Sequence, residues 1–307
     1  MGLTGAYGQV DRRQSERTLL SAVENGITFF DTADVYGNGK NEELVGTVLR
    51  PHRHAIVLAT KGGATRDALG NATNDGSPGY LRKACEASLR RLGVDAIDLY
   101  YLHRVDPAVP IEASMEALAR LVEQGKIRSI GLSEAGASTL RRACAVHPVA
   151  ALQTEYSLAC RFPENELLAT CEELGVSFVA YSPLSRGLLG GAIAAQQTFG
   201  PDDMRRVIPR FQSQNLQANV AATQALAELA GQLQASPAQL ALAWVLSRST
   251  TLFAIPGARS ADRIAENAGA CQVRIPEWAR QKLESIFSGD AIQGARHTSQ
   301  MLARTGL

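Results

Sequence analysis

The sequence has 307 residues, of which 45% are hydrophobic and 20% are charged, a composition typical of a globular protein. Its 31 basic and 30 acidic residues leave a net charge of +1, which provides no overall field to favour a nucleic acid or an anionic membrane as a partner. The apolar stretches are far shorter than the ~20 residues of a membrane span. No basic and apolar leader typical of a signal peptide follows Met1, so we expect a cytoplasmic protein.

Short apolar runs and longer amphipathic runs alternate along the chain. Four amphipathic runs end in a glycine directly before an apolar run, and glycine accepts the left-handed conformation that closes a helix. The predicted strands are Ile27–Phe30, Ile56–Lys61, Ile97–Tyr101, Ile127–Leu132, Val149–Thr154, Val176–Tyr181 and Thr251–Pro256. The predicted helices are Ser15–Asn25, Asn41–Arg50, Pro78–Leu92, Ile111–Gln124, Ala137–Val146, Glu164–Leu174, Ala218–Gln234, Pro237–Ser247 and Ala261–Gly269.

Strands that are apolar on both faces and separated by helices predict a parallel sheet with helices outside it. Seven such strands without a linker predict one α/β domain over residues 1–307, a (β/α)8 TIM barrel rather than a doubly wound sheet. No G-x-G-x-x-G motif follows a predicted strand, so a Rossmann domain is not indicated. The segment Met1–Val10 is glycine-rich and not strand-like, and we therefore expect the first strand of the barrel to be truncated.

Polar side chains follow several of the predicted strands, where the chemistry of such barrels is located. Asp31 and Tyr36 follow the first of these strands, Lys61 ends the second and His103 follows the third. A tyrosine is a poor proton donor at neutral pH, but an ammonium beside it stabilises the phenolate, and a carboxylate holds that ammonium in place. A histidine can orient a carbonyl oxygen. These four residues predict the reduction of a carbonyl group by hydride transfer, with Tyr36 as the general acid.

At these positions the sequence resembles the aldo-keto reductase superfamily. The matching motifs occur in order along nearly the whole chain: Asp31–Gly46, Ala59–Lys61, Asp98–His103, Gly131–Glu134, Gln153–Ser157, Tyr181–Gly187 and Ile255–Gly257 with the residues that follow it. The details around His103 and Glu155 look most like the branch that contains pyridoxal-reductase-like and alkaloid-reductase-like enzymes. Glu134 stands where many members carry asparagine.

The resemblance implies roles for the remaining motif residues. Ser133, Gln153 and Tyr181 would hold the nicotinamide of NADP(H), Tyr181 by stacking. The other cofactor contacts that the resemblance or its surroundings imply are Glu134, Ser182, Pro183, Leu184, Arg186, Gly187, Arg210, Gly257, Arg259, Arg263, Glu266 and Asn267.

Arg259 and Arg263 also have a physical reason to bind the cofactor. They are four residues apart at the start of a predicted helix, so they share a face near its positive N-terminal end. Barrel phosphate sites lie after the last strands, and two arginines there favour the 2′-phosphate of NADP(H) over NAD(H).

Other functions remain alternatives. The chain could be a non-catalytic NADP(H)-binding regulatory subunit or an inactive truncated product. His52 and His54 form the H-x-H pattern of barrel metal enzymes, but they precede a strand rather than follow it, so we predict no metal site. The substrate is expected to be a small aldehyde or ketone, bound by the loops Gly62–Gly79 and Leu188–Asn215, and the protein to be a monomer or weak homo-oligomer.

Overall fold

A computed structural model describes residues 1–67 and 69–307. The strands are β1 Phe29–Asp31, β2 Val57–Gly62, β3 Ala64–Arg66, β4 Ala72–Asn74, β5 Ile97–Leu102, β6 Ile127–Ser133, β7 Ala151–Glu155, β8 Ser177–Tyr181 and β9 Leu252–Ile255. The α-helices are α1 Arg12–Glu24, α2 Lys40–Leu49, α3 Pro78–Leu92, α4 Ile111–Glu123, α5 Ala137–Val146, α6 Leu167–Leu174, α7 Ser213–Gln232, α8 Pro237–Leu246, α9 Ala261–Ala268, α10 Glu277–Ile286 and α11 Ser299–Leu302.

Seven of the strands form one parallel sheet in the order β1-β2-β5-β6-β7-β8-β9, which confirms the predicted parallel arrangement. The sheet curves into a nearly closed (β/α)8-type barrel, with helices between successive strands. The four predicted helix-ending glycines, Gly26, Gly93, Gly125 and Gly175, all have positive φ. Each lies between the end of a helix and the strand that follows, in a backbone conformation that glycine adopts more readily than other residues.

The barrel contains a small apolar core of its own. Ala59, Leu99, Tyr101, Ala151 and Val179 form this buried cluster inside the sheet. The larger core lies between the outer face of the strands and the helices. Above the inner cluster, at the carboxyl ends of the strands, the inward-facing side chains become polar, and this change places the candidate site at the barrel mouth.

The described residues before β1 form no strand that pairs with the barrel sheet. Residues 1–10 contain a short 3-10 turn, Gly2–Thr4, and an isolated bridge between Tyr7 and Asp203. β1 and β9 are therefore the two end strands of the seven-stranded sheet. The rings of Phe29 and Phe253, one on each of these strands, lie 6.4 Å apart between centroids.

Two further features concern the loops and the helices. The predicted substrate loop Gly62–Gly79 contains an unpredicted antiparallel hairpin of β3 and β4, while Ala68 lies outside the described residues. Among the described residues, no helix is both long and apolar enough to cross a membrane. His52 and His54 lie in a 3-10 turn before β2, at the opposite end of that strand from Lys61.

Candidate active site

A buried ion pair lies at the centre of the barrel mouth. The side chain of Lys61, on β2, is fully buried, and its Nζ donates to the carboxylate of Asp31, at the end of β1. The same Nζ donates to the carbonyl of Thr32 at 2.9 Å. Burial alone would lower the pKa of Lys61, but the adjoining Asp31 carboxylate outweighs it and the pKa is raised. The lysine therefore keeps its positive charge at neutral pH.

Tyr36 lies beside this pair, on the turn between β1 and α2. The turn is fixed by hydrogen bonds from the Tyr36 amide to the carbonyl of Ala33, at 3.1 Å, and from the Asn41 amide to the carbonyl of Tyr36, at 3.2 Å. The Nζ of Lys61 lies 5.3 Å from the centroid of the Tyr36 ring. The Tyr36 ring and the Lys61 ammonium are thus neighbours.

His103 completes the group. It follows β5, and its amide donates to the carbonyl of Gly62 at 2.8 Å, which fixes the start of the loop. Its ring meets the Tyr36 ring edge to face, with centroids 5.9 Å apart. Burial lowers the pKa of His103 well below its usual value, and Arg104 and Lys61 add to the shift. The imidazole is neutral, and its buried Nδ1 has no hydrogen-bond partner among the described residues.

Two residues predicted to hold the nicotinamide also lie at the mouth. The Nε2 of Gln153 donates to Oδ2 of Asp31 at 2.9 Å, so this glutamine supports the carboxylate of the ion pair. The hydroxyl of Ser133 accepts from Nη1 of Arg104 at 3.1 Å. Both side chains are almost completely buried.

Sequence reasoning missed a second polar cluster, centred on Glu155 at the end of β7. The carboxylate is fully buried and contacts Arg186 at 3.1 Å, Arg296 at 3.4 Å, His297 at 3.6 Å and Arg210 at 3.8 Å. Burial would raise the pKa of Glu155, but the arginines outweigh it and the pKa is lowered. The position of Glu155 within a motif was a weak indication of this cluster. Arg296 and His297 gave none, because they belong to a C-terminal segment without a periodic pattern.

The same C-terminal segment also binds the side chain of Glu134. Both carboxylate oxygens of this buried residue accept from Arg296, at 3.0 and 2.5 Å. Arg296 and His297 each lie 3.1 Å from the Tyr181 hydroxyl. Contact of Glu134 and Tyr181 with a cofactor stays a prediction, and in this structure both residues are held by the C-terminal segment.

The loop after β8 has an unusual backbone. Ser182, Ser185 and Arg186 have φ values of 48°, 46° and 55°, in the left-handed region that side chains disfavour. Such strain persists only where the surroundings hold it, and here the buried Arg210 donates to the Ser185 hydroxyl at 3.2 Å. The other predicted cofactor residues of this loop are Pro183, Leu184 and Gly187.

The predicted phosphate site follows β9. Ser260 caps α9 by accepting from the Arg263 amide, and the exposed Arg263 side chain pairs with Glu266. Arg259 instead donates to the carbonyls of Tyr7, at 2.6 Å, and Gln9. Gly257 precedes this helix and Asn267 lies within it, so the predicted residues share one region. Their contacts are with each other and with the N-terminal segment rather than with Lys61 or Tyr36.

Comparison with known proteins gives similarities along almost the whole chain. The sequence model described as "Aldo/keto reductase family" matches residues 1–287. A curated protein described as probable aldo-keto reductase 1, from Glycine max, is 44% identical over 297 residues, which cover 96% of this chain and 86% of that protein.

The chain is also similar to solved structures of oxidoreductases. A glycerol dehydrogenase from Gluconobacter oxydans is similar with a TM-score of 0.84 and 31% identity, over 96% of this chain and 90% of that chain. An aldo/keto reductase from Klebsiella pneumoniae, solved with NADP and acetate, is similar with a TM-score of 0.71 and 27% identity, over 93% of this chain and 89% of that chain.

Proposed function

The chain belongs to the aldo/keto reductase family, and we propose that it reduces an aldehyde or ketone to an alcohol with NADPH, using Tyr36 as the proton donor. The observation that carries this proposal is the fully buried Lys61–Asp31 ion pair beside the Tyr36 ring, next to a neutral His103. We propose as well that residues 1–307 act as one domain, because the C-terminal Arg296 reaches Glu134 and Glu155 at the mouth.

The proton comes from the Tyr36 hydroxyl. Because Lys61 stays cationic, its charge stabilises the phenolate that remains after Tyr36 gives its proton to the carbonyl oxygen. Asp31 anchors the ammonium, and Gln153 anchors Asp31. The three side chains behind Tyr36 therefore form one supporting chain of hydrogen bonds.

His103 orients the substrate. Its unpartnered Nδ1 marks a nitrogen that can form a hydrogen bond with a ligand. A neutral imidazole can donate one hydrogen bond to the carbonyl oxygen without competing with Tyr36 to supply the proton. The edge-to-face contact between the two rings places the His103 imidazole and the Tyr36 hydroxyl so that both can reach the carbonyl oxygen of one substrate.

The residues present fit NADP(H). The buried Arg210 has an Nε without a partner among the described residues, beside the strained loop after β8, and Arg263 is exposed at the start of α9. We propose that the loop binds the pyrophosphate and that α9 binds the 2′-phosphate, with Ser133, Gln153 and Tyr181 at the nicotinamide. Bound at these residues, NADPH would supply the hydride for the carbonyl carbon and would itself be oxidised to NADP⁺.

A screen of aldehydes and ketones tests the proposal. NADPH oxidation is followed with each compound, and NADPH binding is measured separately by fluorescence. We expect both binding and turnover, whereas the regulatory-subunit alternative predicts binding without turnover. A folded protein that neither binds NADPH nor turns over any compound would contradict the proposed function. Monomeric or weakly oligomeric state and cytoplasmic location stay predictions.

A further inference from the structure

We propose that the carbonyl substrate carries an anionic group, a carboxylate or a phosphate, which Arg104 and Arg304 bind beside His103. The inference deepens the proposed function and rests on it. It concerns the side of the mouth where the substrate, rather than the cofactor, is expected.

Arg104 is held at the mouth by neutral groups. It follows His103 directly, and its Nη1 donates to the His103 carbonyl at 2.7 Å and to the Ser133 hydroxyl at 3.1 Å. Among the described residues, no carboxylate forms an ion pair with this guanidinium. Its other nitrogens remain available to a ligand that enters the mouth.

Arg304 reaches the same region from the C-terminal segment. It donates to the carbonyl of Thr73 at 2.6 Å and to Oδ1 of Asn74 at 2.9 Å. The side-chain Nδ2 of Asn74 donates in turn to the carbonyl of Val105 at 2.9 Å, two residues beyond His103. Arg304 therefore lies over the loop that carries His103 and Arg104, again with only neutral partners in the described part of the chain.

The charges of these arginines act on one another and on His103. Burial lowers the pKa of Arg304, and Arg104 and the exposed Arg66 of β3 lower it further. Burial also lowers the pKa of His103, to which Arg104, Lys61 and Arg304 add. The positive charges of Arg104 and Arg304 therefore act at His103, beside which the reacting carbonyl group would bind.

Other cations of the mouth have acidic partners. Lys61 pairs with Asp31, Arg296 with Glu134, and Arg186 with Glu155. Among the described residues, neither Arg104 nor Arg304 forms an ion pair with a carboxylate, and the charge nearest to Arg104, that of Glu134, is already paired with Arg296. Partly buried cations without counter-ions are costly, and an anionic ligand would remove that cost.

The location argues for the substrate rather than the cofactor. The predicted phosphate-binding residues follow β8 and β9, whereas Arg104 follows β5 and Arg304 bonds to β4. In the sheet, β6 and β7 lie between β5 and β8. The two arginines therefore lie on the β5 side of the mouth, away from the predicted phosphate site, and Arg104 reaches the cofactor region only through Ser133, at the predicted nicotinamide end.

A matched set of aldehydes tests the inference. At saturating NADPH, kcat/KM is measured for para-formylbenzoate, for its neutral methyl ester and for para-formylphenyl phosphate. We expect the wild-type protein to prefer at least one anion over the ester by about tenfold or more, since charge-assisted hydrogen bonds are strong. The larger of the two preferences identifies carboxylate or phosphate as the anion, and added salt should reduce it.

Variants assign the preference to the arginines. Arg304→Gln and Arg104→Gln should each bring the ratio of anion to ester towards one, and Arg304→Lys should restore part of it. The control Arg120→Gln changes an exposed arginine on α4 and should keep the wild-type ratio. Because the ratio compares two substrates of one variant, a general loss of activity or folding cancels from it.

Several results would overturn the inference. One is a wild-type protein that reduces the ester as efficiently as both anions, which would leave the proposed function intact. Another is Arg304→Gln with the wild-type ratio, or with NADPH binding weakened as much as kcat/KM for the anion, which would assign Arg304 to the cofactor. If no aldehyde is reduced and NADPH is not bound, the proposed function and this inference both fail.

Discussion

Asp34 lies three residues beyond Asp31, yet its surroundings give it the opposite electrostatic character. Asp31 is paired with Lys61, whereas the carboxyl group of Asp34 receives a weak hydrogen bond from the Tyr80 hydroxyl, at 3.4 Å, and one from the backbone of Val35. Among the described residues it forms no ion pair, and its buried Oδ1 has no hydrogen-bond partner within contact distance. Burial raises the pKa of Asp34 to about 7, and Glu42 adds to the shift, although Arg91 opposes it. The turn that carries Tyr36 thus contains a carboxyl group that titrates near neutral pH.

We predict that Asp34→Asn stabilises the protein at alkaline pH. Since the pKa of Asp34 is about 7 in the folded state and near 4 when unfolded, its favourable contribution is complete below pH ~4 and is lost as the pH rises through 7. Relative to wild type, the free energy of unfolding of Asp34→Asn should therefore increase by about 1–3 kcal/mol between pH 5 and pH 8. Urea unfolding at both pH values measures it.

Asp67→Asn is the control for this prediction. A hydrogen bond from Asn71 lowers the pKa of the exposed Asp67, so its carboxylate is ionised at both pH values. Its substitution should change the stability equally at pH 5 and pH 8. The Asp34 account fails if Asp34→Asn also shows no difference between the two.

Single residues were predictable from the sequence where they follow a strand. Tyr36, Lys61 and His103 were identified in this way, and the structure brings them together. Arg296 was not predictable, because it contacts Glu155 across 141 residues and its segment has neither helical nor strand periodicity. The same holds for Arg304, whose partners are mainly backbone and amide oxygens of β4.

At the scale of elements, predictions succeeded where a glycine separates a helix from a strand. The hairpin of β3 and β4 was missed because its strands have three residues each, and its stability depends on contacts outside the local sequence. The hydroxyls of Thr65 and Thr73 are 2.6 Å apart across it, and Arg304 bonds to it from the far end of the chain. The start of α6 was also placed too early, since a 3-10 turn at Phe162–Asn165 precedes it.

Within β6, Gly131 makes room for the floor of the active site. A Cβ atom at this position would lie 2.4 and 2.5 Å from atoms of the Tyr101 ring. This ring is completely buried, and the Nζ of Lys61 lies 5.6 Å from its centroid. A side chain at Gly131 would therefore displace the tyrosine that underlies the ion pair.

Gly131→Ala should destabilise the protein by about 1–3 kcal/mol, as overpacking of a core does. The comparison is Gly231→Ala on α7, where an added Cβ meets nothing within 4 Å. In that helix, alanine should stabilise by about 0.5–1 kcal/mol. Urea unfolding of both variants measures the difference, and equal midpoints would show that the barrel accommodates the methyl group.

At the scale of the whole molecule, the open side of the barrel and the predicted phosphate site are connected. β1 and β9 do not pair, and Arg259, just after β9, binds the carbonyls of Tyr7 and Gln9. The side chain of Gln14 donates to the Arg259 carbonyl at 2.9 Å, which ties α1 to the same junction. Cofactor binding at α9 should therefore affect the stability of the whole chain.

We expect NADPH to raise the thermal midpoint, and Arg263→Ala to remove most of this effect. A charge-assisted hydrogen bond contributes about 1.5–3 kcal/mol, so the variant should bind NADPH about ten- to a hundredfold more weakly while NADH binding barely changes. Arg263 is the better position to test, because Arg259 also holds the N-terminal segment. Arg120→Ala is the exposed control, and equal losses for the two cofactors would assign Arg263 a different role.

If Tyr36 supplies the proton for carbonyl reduction, Tyr36→Phe should abolish that step, because this substitution removes only the hydroxyl. The measurement is the single-turnover rate of NADPH oxidation with an aldehyde that the wild-type protein reduces, which avoids masking by slow cofactor release. We predict unchanged folding and NADPH affinity and a rate reduced by roughly 10²–10⁴-fold. A folded, NADPH-binding Tyr36→Phe protein that keeps more than about a tenth of the wild-type rate would contradict the account.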